Sequence, residues 1–307
     1  MLKLLRRIGY IILFAICVML IVNLIPPRDS IALNTFMNEE DNLLVATQSG
    51  ISTDYPANVR ASFNTASGFG IMYFSVGVVM TSDEVLIIAD YDDLSVYTSE
   101  SGKISEKTYD EIKNLNFAYN FSNANGEYTY RSSTLTCLTV DEFLGLFPYS
   151  NFIINIVQDS EAGERAAVLL CEKLRQQNLS LHVVIKGSEN VIKYVRNQTN
   201  VRVLTAPIKN EFTGYANADK FFLSGFYIDV PFQYAEINID DINGFTKRLI
   251  WSLHRRNVAV FIVGVNTSEQ LDTAIELNAD GIITNDPVLI NELLARQTDS
   301  ETNEQTQ

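Results

Sequence analysis

Short runs rich in Val and Ile, separated by amphipathic stretches, recur about eight times along this chain, and that alternation narrows the choice of fold more than any other feature. The runs are 43–47, 71–80, 85–89, 152–157, 181–186, 201–204, 258–263 and 281–284. Strands this short and this uniformly apolar are buried on both faces, as parallel strands covered by helices are. Between them, Ala162, Ala166, Leu169, Leu170 and Leu174 fall at helical spacing within 161–177, as do Leu271, Ala274 and Ile275 within 267–277. A last helix, 287–296, opens on Pro287, which costs nothing in a first turn. Strand and helix alternating over roughly 250 residues predict an α/β fold, a closed (β/α)8 TIM barrel rather than a doubly wound sheet.

Two stretches resist this scheme. Residues 92–140 are rich in Ser, Thr, Asn and Tyr, and 206–241 are similarly irregular, so both read as loops and insertions over the barrel mouth. Their aromatic residues (Tyr91, Tyr97, Tyr119, Phe121, Tyr128 and Tyr130; Tyr215, Phe221, Phe222, Phe226 and Tyr227) suit either packing under a long loop or a rim that meets sugar or lipid.

The N-terminus has a different character. Lys3, Arg6 and Arg7 precede residues 8–25, eighteen residues without a charge, close to the length that crosses a bilayer. The run is long for a signal-peptide core and ends in Asn-Leu-Ile-Pro-Pro rather than at a small-residue cleavage site, which favours an uncleaved anchor. Ile16 ahead of Cys17 argues against a lipidated cysteine. By the positive-inside rule residues 1–7 form a cytoplasmic basic stub, and the folded part lies outside the cell membrane of a single-pass protein. Residues 26–42 then read as a linker, 43–296 as the barrel, and 297–307, which lack any large apolar side chain, as a disordered tail.

The formal net charge is −14 with Lys3, Arg6 and Arg7 counted and −17 without those three cations, which opposes binding to nucleic acid and to anionic lipid headgroups alike. Cys137 and Cys171 are the cysteines of the folded part, and their spacing leaves open whether they pair or stay as buried thiols.

Gly50, Pro56, Asn58, Phe63, Gly70, Thr81-Ser82-Asp83, Asp92, Gly102, Thr108, Glu111, Phe147-Pro148 and above all Asp280-Gly281-Ile282-Ile283-Thr284 with Pro287 stand in a recognisable order. In this frame the chain resembles the glycerophosphodiester phosphodiesterase family, metal-dependent TIM-barrel hydrolases. The resemblance implies two histidines as acid and base on the phosphodiester, carboxylates around a divalent cation, and Arg and Lys on the phosphate. Those groups are replaced here. Gln48 and Ser49 stand for the first His-Arg, Ala57 for a glutamate, Ser75 and Gly77 for a Glu-x-Asp pair, and Asp90 followed by Tyr91 for the second His-Asp. Asn155 and Val157 stand for a Glu and a Lys, Val263 and Gly264 for Trp-Thr ahead of a kept Asn266, and Asn285 for an aspartate. Only His182 and His254 exist in the chain, the first read as structural and the second as a surface residue, so no shift of register supplies two histidines.

The expectation is therefore a membrane-anchored barrel that binds or regulates without cutting. Its mouth would be lined by Gln48, Ser49, Asn58, Ser75, Asn155, Lys186 and Asn266, with a sugar or polyol, or another membrane protein, as partner and no cofactor. The alternative is an active phosphodiesterase of glycerophosphodiesters, with Asp90 as base and Ca²⁺ or Mg²⁺ held by Asp90, Asp92 and Asp93.

Overall fold

The computed structural model describes residues 2–24, 34–37, 43–52, 55–198, 203–227 and 230–304. Nine strands form the sheet: β1 (Leu44–Gln48), β2 (Tyr73–Met80), β3 (Leu86–Ile88), β4 (Asn151–Ile156), β5 (Val183–Lys186), β6 (Leu204–Thr205), β7 (Tyr234–Asn238), β8 (Ala259–Val263) and β9 (Gly281–Ile283). Eight of them run parallel in the order β6-β5-β4-β2-β1-β9-β8-β7. Across the remaining seam the Gln233 amide donates to the Thr205 carbonyl at 3.0 Å, so the barrel is nearly closed. The α/β TIM-barrel expectation holds.

Two staves depart from that expectation. β3 pairs antiparallel with β2, Val79 opposite Ile87, and is the return arm of a hairpin turned at Thr81–Glu84. Its Val-Leu-Ile-Ile run is apolar on both faces because the 92–140 insertion packs its own core, Leu94, Tyr97, Ile104, Ile112, Phe117 and Cys137, against the hairpin. The missing stave is instead β7, the sixth in chain order, inside the stretch read as irregular, which also contains the helix Lys209–Lys220. The helix Pro287–Glu304 likewise continues into the tail expected to be disordered.

Alternate positions point into the barrel, where Ala46, Ile153, Val184, Leu204, Tyr234, Ala259, Phe261 and Ile283 fill the lumen. Gly281 is required there: a β-carbon on it would lie 2.5 Å from the Phe261 ring and 2.8 Å from the Leu44 carbonyl. The base is closed by a segment counted as linker. Phe36 is wholly buried against Tyr73, Tyr234 and Phe261, with ring centroids 5.6, 5.8 and 6.3 Å away. Asn34 donates to the Gln233 and Asn257 carbonyls at 2.7 and 2.9 Å, and the Tyr73 hydroxyl donates to the Thr35 carbonyl at 2.9 Å.

A helix covers Leu2–Leu24, with Ile11, Ile12, Leu13, Phe14, Leu20 and Ile21 exposed. Among the described residues no helix is long and apolar enough to cross a membrane, so the fold does not by itself support the expected span over 8–25.

Cys137 and Cys171 are both free and buried in different core clusters, which answers the pairing question. Burial pushes the Cys137 thiol up to about 12 and the Cys171 thiol up to about 11, so neither is a thiolate at neutral pH. In the folded protein a maleimide should label neither Cys137 nor Cys171, and both only after denaturation. Mass spectrometry of the labelled chain checks this, and native labelling of Cys137 would contradict it.

Candidate functional site

The mouth of the barrel is organised around Asp90. The β2–β3 hairpin folds back so that this residue reaches over the C-terminal ends of the staves. Its Oδ2 accepts from the Ser49 hydroxyl at 2.5 Å and from Asn58 Nδ2 at 2.7 Å, and its Oδ1 accepts from the Gly77 amide at 2.9 Å. From behind, the buried Tyr97 hydroxyl accepts the amides of Asp90 and Tyr91 at 2.8 and 2.9 Å. Burial, and after it the Asp90 charge, raise the Tyr97 phenol far above its ordinary range, so it stays protonated.

Local backbone sets these partners. Ser49 and Asn58 both adopt left-handed conformations, φ 61° and 63°, and Gly50 follows at φ 82°, turning the chain sharply at the end of β1. Asparagine tolerates such a conformation better than most residues. Gly77 is fixed by packing: a β-carbon there would lie 2.4 Å from the Ala89 carbonyl oxygen and 2.6 Å from the Asp90 α-carbon.

Strand register assembles the rest. Gln48 pairs Ser75, while Gly77 pairs Asn155 and Asn155 pairs Lys186, so the amides, the hydroxyl and the ammonium stand side by side on successive staves. Ser75 and Asn155 make no side-chain hydrogen bond among the described residues. Lys186 does not offer a spare charge: its ammonium donates to Glu236 Oε2 at 2.5 Å, and Tyr234 donates to the other oxygen at 3.0 Å. Glu236 and Tyr97 were missed in the sequence, the first because its stave was not recognised. Asn285, which stands where an aspartate was expected, accepts from the Gln48 amide at 2.8 Å and donates to Ser52 at 3.0 Å, tying β9 to the loop after β1.

Other candidates are placed elsewhere. Asn266 is exposed and its side chain donates to the Gly264 carbonyl of its own loop. Asp92 accepts from the Ser105 amide and hydroxyl, and Asp93 caps the turn Leu94–Tyr97 through Ser95. His182 Nδ1 lies 3.0 Å from Asn151 Oδ1 at the basal end, away from the mouth. His254 is not a surface residue: its Nε2 is 2.8 Å from the buried Asp280 carboxylate, which also accepts from the Val260 amide.

A hard divalent cation takes six or more oxygens. At the positions where the family places carboxylates stand Ser75, Gly77 and Asn155, Asp90 already accepts three hydrogen bonds, and Asp92 and Asp93 serve their own loops. Among the described residues no three His, Cys, Asp or Glu side chains come together as a metal-binding group. The residues present do not fit the ion.

The glycerophosphoryl diester phosphodiesterase family matches residues 49–289, most of the chain. The chain belongs to that family. A glycerophosphodiester phosphodiesterase of Bacillus altitudinis is 23% identical over 247 residues, covering 78% of this chain and 92% of the relative. An uncharacterized protein of Mycobacterium tuberculosis is 26% identical over 110 residues, only 36% of either chain. The solved glycerophosphoryl diester phosphodiesterase domain of an uncharacterized M. tuberculosis protein superposes with a TM-score of 0.69 at 13% identity, over 83% of this chain and 99% of that one. At that identity the likeness speaks for the glycerophosphodiester phosphodiesterase fold alone.

Proposed function

We propose that this chain is a membrane-anchored glycerophosphodiester phosphodiesterase-like domain that binds a neutral polyol or sugar at its mouth and does not hydrolyse phosphodiesters. The observation that carries this reading is the Asp90 network. The group standing for the second histidine is held by Ser49, Asn58 and the Gly77 amide, so it serves the architecture of the mouth rather than a proton in transit. With Lys186 paired to Glu236, the Asp90 charge repels an incoming phosphodiester. At roughly 6 Å and an effective dielectric constant near 20 that repulsion costs about 3 kcal/mol. An uncharged ligand escapes it. Asn58 Oδ1 is buried without a partner, and Ser75 and Asn155 present half-buried polar groups on the staves β2 and β4. The anchor rests on sequence: the charge-free run 8–25 behind Lys3, Arg6 and Arg7.

Two measurements on the purified full chain test the reading. Glycerophosphocholine with Ca²⁺ or Mg²⁺ should be hydrolysed no faster than in buffer, because acid–base groups contribute roughly 10²- to 10⁴-fold each and both imidazoles are gone. Turnover abolished by Asp90→Ala would overturn the proposal in favour of an active enzyme. Inositol or glycerol should raise the melting temperature while glycerol 3-phosphate leaves it unmoved; the reverse order would refute the neutral-ligand part.

A further inference from the structure

The helix Lys209–Lys220 follows β6 and descends from the mouth to the base, where it ends in Phe221-Phe222-Leu223, with Phe226 and Tyr227 just beyond. These five side chains are all exposed, Phe221 at 72%. Isolated apolar residues on a surface are ordinary, but five within seven positions form a patch that calls for a partner.

Beside it runs the helix Thr246–His254, which also ends at the base. Arg248, Trp251 and Arg255 follow at spacings of three and four, on one face. The Arg248 guanidinium lies 3.4 Å from the centre of the Phe222 ring and Arg255 5.0 Å from that of Trp251. Arg256 donates to the Tyr227 and Ser224 carbonyls. Trp251 is 56% exposed. Neither 220–227 nor 245–256 contains an Asp or Glu, although the chain as a whole carries a net charge of −14. Among the described residues the acids that touch these segments are buried: Asp219, 3.5 Å from Arg248, and Asp280, 2.8 Å from His254.

Two further observations give this surface its occupant. The N-terminal helix Leu2–Leu24 lies against Ser224–Phe226, within the patch. The chain then enters the barrel through the base, where Asn34 and Phe36 dock.

We propose that the base of the barrel rests on a lipid bilayer containing anionic lipid. Phe221, Phe222, Leu223, Phe226 and Trp251 occupy the boundary between headgroups and acyl chains, and Lys220, Arg248, Arg255 and Arg256 meet the phosphates. This rests on the membrane-anchor reading above and extends it to orientation. The mouth lies at the other end of the staves, so the site opens away from the bilayer and takes its ligand from the aqueous phase, not from a headgroup in the same membrane. Aromatic side chains bearing adjacent cations are the composition found at membrane interfaces.

Trp251 is the only tryptophan in the chain, so its fluorescence reports on this surface alone. The full chain is reconstituted into phosphatidylcholine–phosphatidylglycerol vesicles, with or without lipids brominated on the acyl chains, and floated on a density gradient. Expected is flotation with Trp251 emission roughly halved by bromine. A Phe221→Ser/Phe222→Ser/Phe226→Ser variant, altered only at exposed positions, floats and keeps its melting temperature but loses most of the quenching. A Trp251→Phe/Tyr91→Trp variant, which moves the reporter to the mouth, floats and is not quenched. Flotation without quenching of Trp251, or quenching of the tryptophan at 91, overturns this inference and leaves the anchor standing. Failure to float overturns the anchor reading, and this inference falls with it.

Discussion

Gly77→Asp, which restores a carboxylate where the family carries one, should destabilise the barrel by about 3–5 kcal/mol rather than rebuild a metal site. The new β-carbon would sit 2.4 Å from the Ala89 carbonyl oxygen and 2.6 Å from the Asp90 α-carbon, and both obstacles are backbone with no flexible end to swing aside. Relief requires the hairpin arm to move off β2, breaking the bond from the Gly77 amide to Asp90 and the one from the Ala89 amide to the Gly77 carbonyl. Two carboxylates would then stand side by side with Lys186 already committed to Glu236. Ser75→Glu is the control: it adds a carboxylate at the neighbouring family position, half-buried at the mouth, and should cost under about 1.5 kcal/mol. Urea unfolding of both variants decides the matter. If Gly77→Asp unfolds at the same concentration as the unaltered chain, the hairpin is movable and the missing cage is not built into the backbone.

This explains why some of the molecule is legible in its sequence and some is not. β1, β2, β4, β5, β8 and β9 announce themselves because staves covered by helices outside and packed in the lumen inside are apolar throughout. β3 gives the same signal for another reason, the separate core of the insertion, and only its direction differs. Direction is written in the turn: Thr81 accepts and donates across it, and Glu84 takes φ 64°, the mark of a tight hairpin rather than a crossover. β7 was hidden because it carries the chemistry of the mouth. Glu236 faces Lys186 and Asn238 caps the following turn, so the Tyr-Ala-Glu-Ile-Asn run looks polar.

At the site, the losses are visible residue by residue, since Gln48, Ser75 and Asp90 need only be compared with what the family requires. What replaced them is not visible. That Ser49, Asn58 and Gly77 converge on Asp90 depends on two left-handed residues and a hairpin approaching to van der Waals contact. Tyr97, which holds Asp90 from behind, lies within an insertion that offers no periodicity to read.

Phe36→Ala should cost about 3–5 kcal/mol and lower the melting temperature by roughly 10 °C, a large effect for a residue that composition assigns to a linker. Its ring is wholly buried at the base of the lumen, edge-on to Tyr73, Tyr234 and Phe261. Truncation leaves a void under three aromatic rings held by separate staves, none of which can collapse into it without distorting the sheet. Tyr73→Phe, which removes the hydroxyl that bonds the Thr35 carbonyl and meets the Asn151 side chain, should cost about 1 kcal/mol. The comparison separates a plug from a strap. If Phe36→Ala proves as mild as Tyr73→Phe, the 34–37 segment is merely laid on the barrel, and the path by which the chain reaches the base no longer fixes which end of the barrel faces the helix Leu2–Leu24. If it is severe, the N-terminal segment is part of the core. On the proposed membrane reading the chain then comes to the barrel at its base, and the mouth, at the opposite end of the staves, meets its ligand from the aqueous phase.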